Sequence, residues 1–180
     1  MKLTPLFNLH INIGVPVSAG KGPNGRRVFY PLLDGTFEGS GRGGTCGGKA
    51  LRGTVVPGGG DWILVDDETK TSRLDIRLTL KTDDGWAIYL QAFGIIKVNA
   101  AVERRLQDPN LITDFGETYF MTQPRFETGD DLDPATMQPL ENPYKWMNDV
   151  VAVGQGKLGP SFPGFMAAQW LETRSFIVEN

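Results

Sequence analysis

The chain of 180 residues holds one histidine, His10, and one cysteine, Cys46, so its chemistry must come mainly from carboxylates, guanidinium groups and phenols. A multi-histidine metal site cannot form within one chain, and a lone cysteine makes neither an internal disulfide nor a multi-cysteine zinc site. No metal or other cofactor is expected. A serine or cysteine triad would have to use His10, which alternates with Phe7, Leu9, Ile11 and Ile13 alongside Asn8 and Asn12. That period of two reads as a half-buried strand with His10 on its polar face. Cys46 has no histidine near it in sequence and reads as an inert small residue.

Polar residues set inside apolar runs are the better candidates. Arg77 lies between Ile76 and Leu78, with Asp75 and Thr79 on its own face, and Tyr89 lies between Ile88 and Leu90. If the Asp75/Arg77/Thr79 face is solvated, it is the ordinary outside of an antiparallel sheet. If it lines a barrel, the arginine would stabilise an oxyanion in a low-dielectric cavity. Hairpin parity leaves Tyr89 open: a two-residue loop puts it on the leucine face, a three-residue loop beside Arg77. Asp61 precedes Trp62 and is the candidate base, Arg77 the anion stabiliser and Tyr89 the acid. Trp62, Phe126 and Trp146 would give apolar walls, with Tyr119 and Asn148 as further substrate contacts, since ligand pockets combine apolar walls with a few polar groups. A buried Asp61 would need its pKa raised by desolvation to act as a base near neutrality.

Two glycine motifs fail on context. Gly39 to Gly44 spells G-x-G-x-x-G, but Thr45-Cys46-Gly47-Gly48 follows and is a poor helix start. Gly43 to Lys49 spells G-x-x-x-x-G-K, but Ala50 stands where magnesium needs Ser or Thr, and a strand follows. The paired carboxylates Asp66-Asp67, Asp83-Asp84 and Asp130-Asp131 fall in turns or loops and read as solvated.

The elements that would position these residues are mostly strands. Besides the first, strands are expected over Arg27 to Leu33, Ala50 to Val56 and Asp61 to Val65. Turns are expected at Asp34-Gly35 and at Pro57-Gly58-Gly59-Gly60. Arg73 to Thr82 and Trp86 to Ile96 alternate around Asp83-Asp84-Gly85, a strong hairpin signal. One short helix is expected from Asn99, its N-cap, to Leu106. Thr118 to Thr122 reads as a strand broken at Gln123 to Glu127, Gly129 to Pro143 as a long surface loop, and Tyr144 to Val153 and Ser175 to Glu179 as the last strands. Many short strands in one domain over residues 1–180 predict an all-β antiparallel barrel or sandwich.

Composition excludes several partners. Net charge is −3, with Lys and Arg scattered, so no nucleic acid is expected. No apolar run reaches membrane-helix length, and Met1 to Leu6 shows no signal-peptide block. A cytoplasmic protein that leaves membranes alone is the expectation; a homo-oligomer is allowed.

Several blocks resemble one family in order along the chain. They are Leu3-Thr4-Pro5-Leu6-Phe7, Asp34-Gly35-Thr36-Phe37-Glu38-Gly39, Leu51-Arg52-Gly53 with Pro57-Gly58-Gly59-Gly60-Asp61-Trp62, and Leu80 to Gly85 with Ile88-Tyr89. Tyr119-Phe120, Pro124 to Thr128, Tyr144 to Asn148 and Val153 to Gly156 complete the set. The chain is similar to the family named domain of unknown function 3237. That resemblance implies a single calycin-like β-barrel and leaves activity open. Departures from the family pattern are the Ser40 to Lys49 insertion, the Gly129 to Pro143 loop and a C-terminal extension from Leu158 to Arg174.

Two functions suit such a barrel. One is a cofactor-free enzyme of isomerase, cyclase or lyase type, moving protons on an apolar aromatic or polyketide-like small molecule. The other is a lipocalin-like carrier that binds without chemistry. Convergence of Asp61, Arg77 and Tyr89 in one cavity would favour the enzyme; a purely apolar lumen would favour the carrier.

Overall fold

Alternating burial along the strands curls one antiparallel sheet into a closed barrel. The computed structural model describes residues 1–39, 45–46, 49–133, 135–162 and 168–180. Its main strands are β1 (Lys2–Ile13), β2 (Val17–Gly22), β3 (Gly25–Gly39), β4 (Arg52–Asp66), β5 (Thr71–Thr82), β6 (Ala87–Lys97), β7 (Phe120–Glu127), β8 (Ala152–Leu158) and β9 (Trp170–Glu179). From β3 to β9 each strand pairs with the next, β9 pairs with β1, and β1 closes the ring on β3. Eight strands thus form the wall, and β2 adds a hairpin arm to β3. Closure removes the unpaired edges of the eight-stranded wall, while β2 pairs only with β3 and keeps an outer edge.

One half of the lumen is solid. Phe7 meets Phe37 and Phe126 edge-on, each with ring centroids 5.8 Å apart, and Leu51, Leu80 and Ile88 pack with them. Each such side chain contributes about 1.5–3 kcal/mol by leaving water. The other half is left open and is described below.

The β5–β6 hairpin runs in register from Thr71↔Lys97 to Lys81↔Ala87. The helix is α1 (Ala100–Gln107), and the Asn99 side chain accepts from the N–H groups of Ala101 and Val102 as an N-cap. Inside α1, Arg105 is fully buried, and its Nη2 donates to the Gly159 carbonyl. Burial pulls that guanidinium down to about 10.

Several expected breaks are corrected. Asp34-Gly35 is a bulge within β3, where register slips between Leu32 and Gly35. Gly35 is needed there, because a Cβ would lie 2.0 Å from the His10 carbonyl oxygen of β1. Pro57 to Gly60 is likewise a bulge inside β4 and not a turn between strands. It inserts two extra residues, so the alternation that buries Val55 continues at Asp61 and Ile63. Gln123 to Glu127 does not break the strand: β7 runs through Pro124, which pairs with Ala92. Pairing with β8 stops at Thr122, so no ladder bond on that side needs a proline N–H.

Tyr144 to Val153 is not one strand, since Lys145–Asp149 is a 3-10 helix and β8 begins at Ala152. Leu158 to Arg174 is no mere extension either, because Trp170 to Arg174 pair with β1 as barrel wall. The expected 129–143 loop carries a two-residue ribbon, Asp131–Leu132 with Pro139–Leu140. Most of the Gly39 to Lys49 glycine motifs lies outside the described residues, which hold there a short pairing of Thr45–Cys46 with Lys49–Ala50.

Candidate functional site

Beyond the aromatic plug, the barrel holds a cavity of about 510 Å³. Its walls are largely aliphatic, including Val28, Leu32, Ile63, Leu74, Ile96 and Leu171. Strand parity sets this lining. Val28, Tyr30 and Leu32 share one face of β3, and Asp61 and Ile63 share the facing positions of β4, with Tyr30↔Asp61 and Val28↔Ile63 as register partners. Directly paired residues on one face have Cβ atoms about 4.5–5.5 Å apart. A carboxyl and a phenol therefore stand side by side in an apolar chamber.

Asp61 is only 3% exposed. The β4–β5 ladder is registered up to Asp61↔Ile76 and resumes at Leu64↔Arg73. Across that interval the Asp75 N–H donates to Asp61 Oδ1 at 3.0 Å. Loss of water around the carboxyl pushes its pKa from 3.8 up to about 7; the Asp75 N–H opposes this and the Asp75 charge adds to it. Near neutrality Asp61 thus exists in both protonation states, as proton transfer requires. Burial also pushes the Tyr30 phenol up, reinforced by the Asp61 charge and offset by Arg26. Tyr30 therefore keeps its proton at neutral pH and can donate a hydrogen bond.

Charged side chains ring the open end. Arg26 Nη2 meets Asp67 Oδ1 at 2.8 Å, and Lys70 Nζ meets Glu103 Oε1 at 2.6 Å. The second pair ties the turn between β4 and β5 to α1, whose Val102 also lines the cavity.

The expected site residues separate. Asp61 faces the cavity, but Arg77 stands on the outer face, paired with Asp75 at 3.2 Å and 5.9 Å from the centre of the Trp62 ring. Tyr89 also points outward, since it alternates with buried Ile88 and Leu90 and pairs with Thr79. The hairpin thus puts Tyr89 and Arg77 on one face, the outside. Trp62 is 40% exposed and packs on Phe29 with ring centroids 5.0 Å apart. Tyr119 is 55% exposed, while its neighbour Phe120 lines the cavity. Phe126 belongs to the aromatic plug, and Trp146 packs against the core beside it. Asn148 is exposed and bonds the Thr128 N–H and carbonyl, each at 2.9 Å, fixing a loop. Of the expected residues, the cavity lining includes Asp61 alone.

Tyr30 was not among the expected residues. Its signal was the Val28, Tyr30, Leu32 alternation, which sets the phenol on an apolar inward face. His10 stands on the outer face, 3.4 Å from Glu172 and 3.3 Å from Asn12, as its alternation predicts. Among the described residues no group of three or more His, Cys, Asp and Glu side chains is placed to hold a metal ion. No helix among them is long and apolar enough to cross a membrane.

Comparison with known proteins agrees with this architecture. The family described as "Protein of unknown function (DUF3237)" matches residues 1–171. A relative from Rhodopseudomonas palustris, named a UPF0311 protein, is 29% identical over 154 residues, 83% of each chain. The crystal structure of a conserved protein of unknown function from that species superposes with a TM-score of 0.71 at 25% identity, covering 98% of this chain and 97% of that one. A structure from Acinetobacter baumannii, described as a beta-barrel like protein, gives 0.67 at 25% identity over 99% and 96%. A structure from Penicillium herquei, titled an enzyme, shares the fold with a TM-score of 0.56 at 17% identity, over 97% and 93%.

Proposed function

We propose, for a chain that belongs to the DUF3237 family of proteins of unknown function, that the barrel cavity is the active site of a cofactor-free proton-transfer enzyme. Its substrate is an apolar, aromatic or polyketide-like small molecule with an enolisable carbonyl. The observation that carries this reading is the Asp61–Tyr30 pair at the wall of a cavity whose other buried lining residues are apolar.

Ionised Asp61 removes a proton from the carbon next to the carbonyl. The C–H electron pair moves into the carbon skeleton, and negative charge collects on the carbonyl oxygen. Tyr30 donates a hydrogen bond to that oxygen, which is worth most where the charge develops away from water. Protonated Asp61 then returns the proton to a different carbon, completing an isomerisation. If the enolate carbon instead attacks a second carbonyl of the same molecule, a C–C bond closes the ring, the π pair of that carbonyl moves onto its oxygen, and protonated Asp61 returns the proton to the alkoxide. Arg77 and Tyr89 have no part in this scheme, because both lie on the outer face. The Penicillium herquei protein titled an enzyme is in keeping with chemistry on this fold. The aliphatic walls equally suit a lipocalin-like carrier, which would bind such molecules and release them unchanged.

A thermal-shift panel of neutral phenols and polyketide-type ketones tests both readings, since a native-state ligand must raise the melting temperature. The enzyme reading expects binding by wild type and Asp61→Asn alike, with product formed by wild type alone. Binding with no turnover by either protein leaves the carrier. A panel in which no compound raises the melting temperature contradicts both.

A further inference from the structure

We infer that the cavity selects uncharged ligands and turns away those with an anionic head group such as a carboxylate, sulfonate or phosphate. This deepens the active-site reading and rests on the cavity being a binding site. Among the described residues, the buried part of the lining holds a carboxyl, Asp61, and no cation. The cations in the lining are Arg26 and Lys70, both at the rim and both engaged, by Asp67 at 2.8 Å and Glu103 at 2.6 Å.

The rim's third carboxylate, Asp66, accepts from the N–H groups of Glu68 and Thr69 and from the Thr69 hydroxyl. Lys21 and Arg73 act on Asp67 and Asp66 but do not line the cavity. An anion entering the cavity would give up its hydration and meet no free counter-charge among the described lining residues; buried Arg105 of α1, which donates to the Gly159 carbonyl, is not one of them. Burying an unpaired charge is far costlier than burying a neutral group of the same shape. To gain a cation, the ligand would first have to displace Asp67 or Glu103. A neutral ring system faces none of this and gains from leaving water.

N-phenyl-1-naphthylamine and 8-anilino-1-naphthalenesulfonate share one skeleton and differ by the sulfonate, so fluorescence titration at neutral pH isolates the charge. The neutral probe is expected to bind at least about tenfold more tightly. Glu103→Gln, which frees Lys70 by removing one exposed ion pair, is expected to raise affinity for the sulfonate several-fold and leave the neutral probe unchanged. An equal or tighter sulfonate in wild type overturns the selectivity while leaving the cavity a binding site. A Glu103→Gln variant that strengthens both probes equally also overturns it, because Lys70 would then not be the withheld counter-charge. Binding of neither probe removes the cavity as a binding site and this inference with it.

Discussion

A carboxyl group facing an aliphatic chamber keeps its proton to higher pH because the charged form has lost its water. Asp61 is such a group, and the difference between 3.8 and about 7 corresponds to about 4 kcal/mol of stability. Below about pH 4 the carboxyl is protonated in both folded and unfolded chains, so this cost is absent. Between about pH 4 and 7 the unfolded chain ionises while the folded one holds its proton, and stability falls as pH rises. Above pH 7 the full cost is present. Asp61→Asn keeps an oxygen for the Asp75 N–H and removes the charge. Urea unfolding at pH 8 should find the variant about 2–4 kcal/mol more stable than wild type, with the gap nearly closed at pH 4. A variant no more stable than wild type at pH 8 would contradict the buried-charge account.

Asp61 drew notice as a carboxylate that opens the expected Asp61 to Val65 strand beside Trp62, a pattern that does not say which face is the lumen. Arg77 and Tyr89 were misleading for the same reason: a polar residue between apolar ones reports alternation, but not which side is the lumen. The Arg77–Asp75 pair and the Trp62 ring explain Arg77 as a surface residue.

At the scale of elements, the bulges decide where side chains point. The β3 slip between Leu32 and Gly35 switches the inward set from Val28, Tyr30 and Leu32 to Gly35 and Phe37, so one strand lines the cavity at one end and packs the aromatic plug at the other. Glycine and proline punctuation cannot tell such a bulge from a turn, which is why Asp34-Gly35 and Pro57 to Gly60 read as turns. Strand β2 was missed for a different reason: every residue in it is exposed, so it has no apolar period. By contrast the β5–β6 hairpin and α1 carry local signals, alternation around Asp-Gly and an Asn cap, and both were readable. Gly35→Ala tests the bulge. Its Cβ would sit 2.0 Å from a backbone oxygen of β1, where no side chain can yield. The variant should lose about 3 kcal/mol or more of unfolding free energy, or fail to fold, because overpacking of this kind commonly costs about 1–3 kcal/mol even against movable side chains. A loss below about 1 kcal/mol would mean that the β1–β3 seam is looser than described.

For the whole molecule, closure of the ring by β1 on β3 allows one end to be filled while the other stays open. The plug of Phe7, Phe37 and Phe126 supplies core, so the open half need not be packed and is free to hold a ligand. The barrel class was legible because alternation and turn density are whole-chain properties. The split between filled and hollow halves was not, since it depends on which strands face one another across the lumen.

The role proposed for Asp61 is to move protons within this cavity. Exchange of the acidic carbon-bound hydrogens of 2-tetralone in deuterated buffer, followed by proton NMR, measures that directly. Wild type should accelerate exchange over buffer, Arg77→Ala should match wild type, and Asp61→Asn should lose about 100-fold or more of the acceleration. A wild-type rate no faster than buffer, or an Asp61→Asn rate equal to wild type, would contradict it.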